Sequence, residues 1–203
     1  MIDVEKDGAL WTIRLNRPLK ANSLTSMMLE KLCEIFETVS NTGVKAVILT
    51  GEGKVFSAGA DLDEARAGLA TSPLWERLSG AVAAAPCFTI AALNGTLAGG
   101  AMGMALACDM RIAVPGAKFF YPVMKLGFLP QPSDPRRLKE LVGPARAKMI
   151  LMAGQKISVE DALNFGLVDR VVDPDLLLTE AKELAEASLA ADQGHIAAIK
   201  SMI

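Results

Sequence analysis

The sequence predicts an α/β fold in which sheets are covered by helices, and three observations carry that prediction. Residues 78–108 hold no charged side chain in a chain that is 22% charged, so that stretch is buried. Short β-branched apolar runs, such as 44–50 and 88–93, alternate with segments of helical periodicity, the pattern of strands shielded on both faces. From about residue 134 onward the helical pattern dominates. A length of 203 residues at 51% hydrophobic content fits one domain with a sizeable core.

The elements follow in order. Val4-Glu5-Lys6, the turn Asp7-Gly8 and the run Ala9 to Leu15 read as a hairpin, with Trp11, Ile13 and Leu15 alternating with Thr12 and Arg14. Asn16-Arg17-Pro18 ends it. Between 23 and 40, Leu24, Met27, Met28, Leu32, Ile35, Phe36 and Val39 recur at helical spacing, with Ser23 as the expected N-cap. A nearly all-apolar strand at 44–50 is closed by Gly51-Glu52-Gly53. The uncharged stretch is long enough for a membrane span, and Gly99 and Gly103 share a GxxxG spacing. Pro86, Asn94, Gly95 and Gly99-Gly100 interrupt it at short intervals, however. It divides instead into a small-residue helix ending near Pro86, a strand at 88–93 and a helix at about 99–108. Strands and helices alternate as far as Val114. Helices at 134–142, 144–152 and 158–165, a strand at 167–172 and a helix from 174 to about 190 complete the chain.

Composition excludes several function classes. Lys and Arg number 21 against 23 Asp and Glu, a net charge of −2 that favours neither nucleic acid nor a polybasic membrane contact. Cys33, Cys87 and Cys108 sit in apolar runs and read as reduced core thiols of a cytoplasmic protein. The acidic start Met1 to Asp7 has no apolar h-region, so no signal peptide is expected. His195 is the only histidine, which argues against a Ser-His hydrolase and a His-based metal site; surface placement is expected for it, and no metal. Arg136, Arg137, Lys139, Arg146 and Lys148 suit either a solvated helix face or a face near phosphates.

Two glycine turns suggest the chemistry. The first N–H groups of a helix lack intrahelical partners, and glycine lets a ligand approach them closely. Gly99-Gly100 opens the helix at 99–108, and Ala58-Gly59-Ala60 follows a strand and precedes the acidic segment from Asp61. Two such turns from different parts of the chain can converge on one developing oxyanion.

The turns belong to a longer series: Asn16-Arg17-Pro18 with Asn22-Ser23-Leu24, Ala46 to Gly51, Phe56-Ser57-Ala58-Gly59-Ala60-Asp61-Leu62, Ala92-Leu93-Asn94-Gly95 to Gly99-Gly100, Ala107-Cys108-Asp109-Met110-Arg111-Ile112-Ala113, Leu138 to Gly143, and Asp161-Ala162 to Gly166-Leu167-Val168. In this order the series resembles the crotonase superfamily, the enoyl-CoA hydratase/isomerase family, over nearly the whole chain. The resemblance implies a spiral of ββα units over 1–140 that binds an acyl-CoA thioester, and a helical part over 141–203 that serves assembly into a homotrimer or a dimer of trimers. It implies that the N–H groups of Ala60 and Gly100 hold the thioester oxygen as enolate charge develops. Lys20, Ala21, Ala58, Asp61 and Leu62 then lie along coenzyme A, which enters as part of the substrate, with no separate cofactor.

The same resemblance exposes two departures. The two glutamates of a typical hydratase would fall at Gly103 and Val123, and neither position holds an acid. Ordinary two-glutamate hydration is therefore not expected, and a single-glutamate isomerase would also miss its acid at position 123. Tyr121 is the substitute nearest the second position, either donating a proton or simply lining the site. Asp61, Asp63 and Glu64 are further candidates beside the first turn, and Asp134 reads as a helix N-cap flanked by Arg136 and Arg137. Decarboxylation of a malonyl-type thioester fits such a site best, because loss of CO2 leaves the enolate directly. Thioester hydrolysis is another route, and a non-catalytic or regulatory acyl-CoA-binding protein is the alternative.

Overall fold

The computed structural model describes Met1–Ile203. Strands β1 (Ile2–Asp7) and β2 (Leu10–Leu15) form the expected antiparallel hairpin, paired from Ile2 with Leu15 to Asp7 with Leu10. Helix α1 (Ser26–Val39) follows, then β3 (Ala46–Gly51) and β4 (Val55–Ser57). The short α2 (Leu62–Arg66) and the longer α3 (Leu74–Ala84) lead to β5 (Phe88–Leu93) and β6 (Thr96–Ala98). A 3-10 turn at Gly99–Ala101 runs into α4 (Met102–Leu106). Next come β7 (Met110–Ala113), β8 (Lys118–Phe120) and α5 (Val123–Leu126). The C-terminal part holds α6 (Asp134–Leu151), β9 (Ile157–Ser158), α7 (Val159–Phe165), β10 (Arg170–Val171), α8 (Leu177–Ala190) and α9 (Gln193–Ser201).

The strands sort into two sheets, one ordered β1-β2-β3-β5-β7-β10 and the other β4-β6-β8-β9. Successive pairs β3/β4, β5/β6 and β7/β8 each give one strand to each sheet, and the pairings β2 to β3, β3 to β5, β5 to β7, β4 to β6 and β6 to β8 are parallel. That is a spiral of ββα turns. All of β3 and all but the first residue of β5 are buried, since both are interior strands of the six-stranded sheet with a helix packed on them. Helix α8 packs on β3 and β5, and Lys200 ties α9 down by donating to Cys87 O at 3.1 Å and pairing with Asp109 at 2.9 Å. No helix is long and apolar enough to cross a membrane.

Three local expectations need correction. Ser23 does not cap α1; Thr25 does, its Oγ1 accepting from Met28 N at 3.3 Å. Leu24 is held extended by a parallel bridge to Ala60, accepting from Asp61 N and donating to Gly59 O at 2.8 Å each, so the helix cannot begin earlier. The strand expected at 167–172 shrinks to Arg170–Val171, since the amides of Leu167 and Val168 turn back to Ala162 O and close α7. The helix expected at 99–108 begins as a 3-10 turn and stops at Leu106. By contrast, α6 contains the expected interruption: Gly143 (φ 77°, ψ 165°) leaves helical geometry just before Pro144.

Candidate active site

Two turns from separate layers of the spiral meet glycine to glycine. Gly59 has φ +93° and Gly99 has φ +59°, both in the region that glycine enters without a Cβ penalty. A Cβ on Gly59 would stand 2.9 Å from Ala98 O and 3.3 Å from Gly99 Cα, so the first turn leaves no room for a side chain at the junction, whereas one on Gly99 would make ordinary contact 3.5 Å from Gly59 Cα. The first turn is fixed by Ser57, whose hydroxyl donates to Asn22 O at 2.8 Å and accepts from Gly59 N at 3.2 Å. The Leu24 bridge holds its far side.

Ala60 and Gly100, one residue beyond each junction glycine, both line one cavity. Neither amide donates to an acceptor within the chain, whereas the flanking amides of Gly59 and Asp61 do. Gly100 also lies under the indole of Trp75, where a Cβ would meet ring atoms at 3.0–3.1 Å. Trp75 is fixed by donation from its Nε1 to Leu69 O at 2.7 Å. The cavity has a volume of about 240 Å³ and a mostly apolar lining that includes Ala58, Ala60, Leu62, Gly100, Tyr121 and Val123. Of the residues expected along a bound coenzyme A, Ala58 and Leu62 reach this lining, while Lys20, Ala21 and Asp61 do not. Lys20 is exposed at the end of a 3-10 turn, and Ala21 (φ 49°) is stitched to the first glycine turn by accepting from Ala58 N at 2.9 Å.

No carboxylate lines the cavity; its one titratable group is Tyr121. The acidic residues beside the first turn are occupied elsewhere. Asp61 pairs with Arg17 at 2.6 Å and accepts from Asp63 N and Glu64 N as the N-cap of α2. The Arg17 hydrogen bond holds its carboxyl below the ordinary range, with the cap bonds adding to the effect. Glu64 Oε2 accepts from both N and Oγ of Ser26 at 2.7 Å, and exposed Asp63 pairs with Arg66. His195 is exposed on α9, as expected.

Asp134 overturns its expected role. Ser133 occupies the N-cap position, and Asp134 is the first residue of α6, buried to 1% exposure. Its Oδ2 accepts from Tyr121 Oη at 2.9 Å, its Oδ1 has no hydrogen-bond partner, and Tyr121 Oη accepts from Gln131 N at 3.4 Å. The carboxyl packs on Gly103: a Cβ there would lie 2.8 Å from Oδ1 and 3.1 Å from Oδ2. Burial pushes the Asp134 carboxyl up to about 6, against the opposing pull of Tyr121 and Arg137. Burial, with the Asp134 charge next, also raises Tyr121 far above a free phenol. Glu76 of α3 braces this region by accepting from N and Oγ of Ser133. Trp75, Glu76 and the Tyr121–Asp134 pair escape sequence reasoning, because a spacing across a proline-rich turn says nothing of which side chains meet. One signal was available: a glycine in a buried helix leaves space that another group must fill.

Residues 5–203 match the family described as enoyl-CoA hydratase/isomerase. The chain is 37% identical over 193 residues to a short-chain-enoyl-CoA hydratase of Clostridium acetobutylicum, covering 90% of this chain and 72% of that protein. It is 35% identical over 199 residues to a crotonyl-CoA hydratase of Syntrophomonas wolfei, covering 95% and 76%. The crystal structure of an enoyl-CoA hydratase from Bacillus anthracis superposes with a TM-score of 0.91 at 34% identity, covering 98% of this chain and 81% of that one.

Proposed function

The chain belongs to the enoyl-CoA hydratase/isomerase family, and from that premise we propose that it binds an acyl-CoA thioester and holds the enolate oxygen between the N–H groups of Ala60 and Gly100. The observation that supports this reading is that Ala60 and Gly100, whose amides have no acceptor in the chain, both line one apolar cavity beside the Gly59–Gly99 junction. Donors fixed before the reaction need no reorganisation as charge develops, and one of them is worth ~3 kcal/mol of barrier. Coenzyme A would leave the cavity past Ala58 and Leu62, toward Lys20, Ala21 and the Asp61 turn. Helices over 141–203 would carry assembly into a trimer, which the mass of the native protein in solution tests.

The reaction best supported is one that reaches an enolate with little help from side-chain acids. Positions 103 and 123 are glycine and valine, and the cavity lining holds no carboxylate. Decarboxylation of a malonyl-type thioester meets that condition, since departure of CO2 leaves the electron pair on the α carbon. Thioester hydrolysis is another route, and Tyr121 is the one titratable side chain in the cavity lining for either. The relatives' names point instead to hydration of short 2-enoyl thioesters. The second reading, an acyl-CoA-binding protein without turnover, is favoured by the same apolar lining.

The test is incubation with crotonyl-, 3-enoyl- and methylmalonyl-type CoA esters, with products followed by mass. Turnover of crotonyl-CoA at ordinary hydratase rates defeats the decarboxylase reading, and binding of every ester without turnover favours the second. Gly100→Pro, which removes one donor, is expected to cut turnover by roughly 100-fold or more in a folded variant. Unchanged turnover removes Gly100 from the hole.

A further inference from the structure

We propose that Asp134, acting through Tyr121, holds the proton that the bound thioester gains or loses at its α carbon, and so takes the place of the carboxylate that Gly103 cannot carry. The inference rests on the acyl-CoA reading of the cavity and assigns the proton transfer of that same site.

Three observations converge. The Asp134 carboxyl sits where a side chain at 103 would begin, 2.8 Å from an ideal Cβ, so an acid at 103 requires the Asp134 carboxyl to leave its present place. Asp134 is 1% exposed, and half of its carboxyl has no partner: Oδ2 takes the Tyr121 hydroxyl and Oδ1 takes nothing. A carboxyl kept only for folding would be expected to have both oxygens satisfied. Finally, Tyr121 belongs both to this pair and to the cavity lining that contains Ala60 and Gly100. The pair thus joins a fully buried acid by one hydrogen bond to a residue of the cavity lining.

The step balances without any further reactant. In deprotonation the Cα–H bond breaks and its proton passes to Tyr121 Oη, while the phenolic proton passes to Asp134 Oδ2. The C–H electron pair moves into the thioester, leaving the negative charge on the oxygen held by the two N–H groups. In the reverse direction a protonated Asp134 resupplies Tyr121 as Tyr121 protonates the α carbon, which is the proton an enolate needs after loss of CO2. The charged and titratable groups facing Asp134 are Tyr121 from the segment before α5, Arg137 on its own helix and Glu76 on α3; α4, which carries Gly103, brings none. With a carboxyl titrating at about 6, both forms are populated close to neutral pH, the condition for efficient general acid–base work.

The experiment is exchange of the α hydrogens of butyryl-CoA in deuterated water, followed by mass, beside a binding titration of butyryl-CoA on the same preparations. Asp134→Asn keeps the shape and still accepts from Tyr121, and Tyr121→Phe keeps the ring. Each is expected to slow exchange by roughly 100-fold or more while the Kd changes by less than about threefold. Wild-type exchange is expected to rise as pH passes through about 6, an inflection that Asp134→Asn loses. Exchange by Asp134→Asn within about threefold of wild type, with the inflection intact, overturns the relay alone. If the wild-type protein binds no butyryl-CoA, the reading of the cavity falls and the relay falls with it.

Discussion

Asp61 and Asp134 both stand next to the walls of one cavity, and the fold treats them in opposite ways. Asp61 adjoins a proposed donor, yet it is saturated by Arg17 and two amides at the start of α2, which hold it ionised. Asp134 lies behind the wall with one tyrosine bond, one empty oxygen and a glycine for a floor, and burial pushes it the other way. Nearness to the site therefore does not decide which acid can move a proton. The number of groups that stabilise its charged form does, and environments that push two carboxyls apart separate a structural acid from a working one.

The contrast can be broken most severely at position 103. Gly103→Glu drives a side chain into the Asp134 carboxyl and sets two acids together, and is expected to cost ~3 kcal/mol or more in urea denaturation at pH 7. Adding Asp134→Gly should recover much of that loss. A single variant as stable as wild type would show that α6 moves aside freely. Next in size is Asp134→Asn, expected to stabilise the protein by ~1–3 kcal/mol at pH 8. The sign follows from a folded carboxyl raised from 3.8 to about 6: the ionised form is penalised only in the folded state, so the gain should shrink as pH falls through 6 and vanish below 3.8. Urea midpoints across that range measure it.

Asp61→Asn should behave in the reverse sense. A carboxyl held below 3.8 adds stability above that pH, so the variant should be less stable at pH 7 and equal to wild type once Asp61 is protonated in acid. Matching pH profiles for the two variants would erase the distinction between the two aspartates. The smallest effect tests burial by itself. The thiols of Cys87 and Cys108 are pushed up to about 12 chiefly by burial, so iodoacetamide at pH 8 should leave both unmodified in the native protein and label them on unfolding.

Much of the fold is legible in the sequence because periodicity and glycine placement are local. The β1–β2 hairpin, β5 at Phe88–Leu93 and the break of α6 at Gly143-Pro144 all follow from patterns within a few residues. What escapes is set by partners distant in the chain. Ser23 has the chemistry of a cap, but the Leu24–Ala60 bridge delays the helix to Thr25. The strands of the second sheet, such as β4 and β8, are only three residues long, too short to show a period. The candidate site divides in the same way. Its glycine turns announce themselves, while Asp134, in a turn of prolines and beside two arginines, carries every local mark of a helix start and none of its contact with Gly103.

The Gly59–Gly99 junction has a consequence for how the protein comes into being. Neither turn makes the pair of donors alone, and no peptide cut from either layer would contain it. The junction joins segments that meet only when β4 and β6 have paired in parallel, a contact of high sequence separation that forms after loop-closure entropy has been overcome. The pair of amides therefore does not exist in a partly assembled spiral. A newly made chain would acquire the proposed oxyanion site in one event, together with its second sheet.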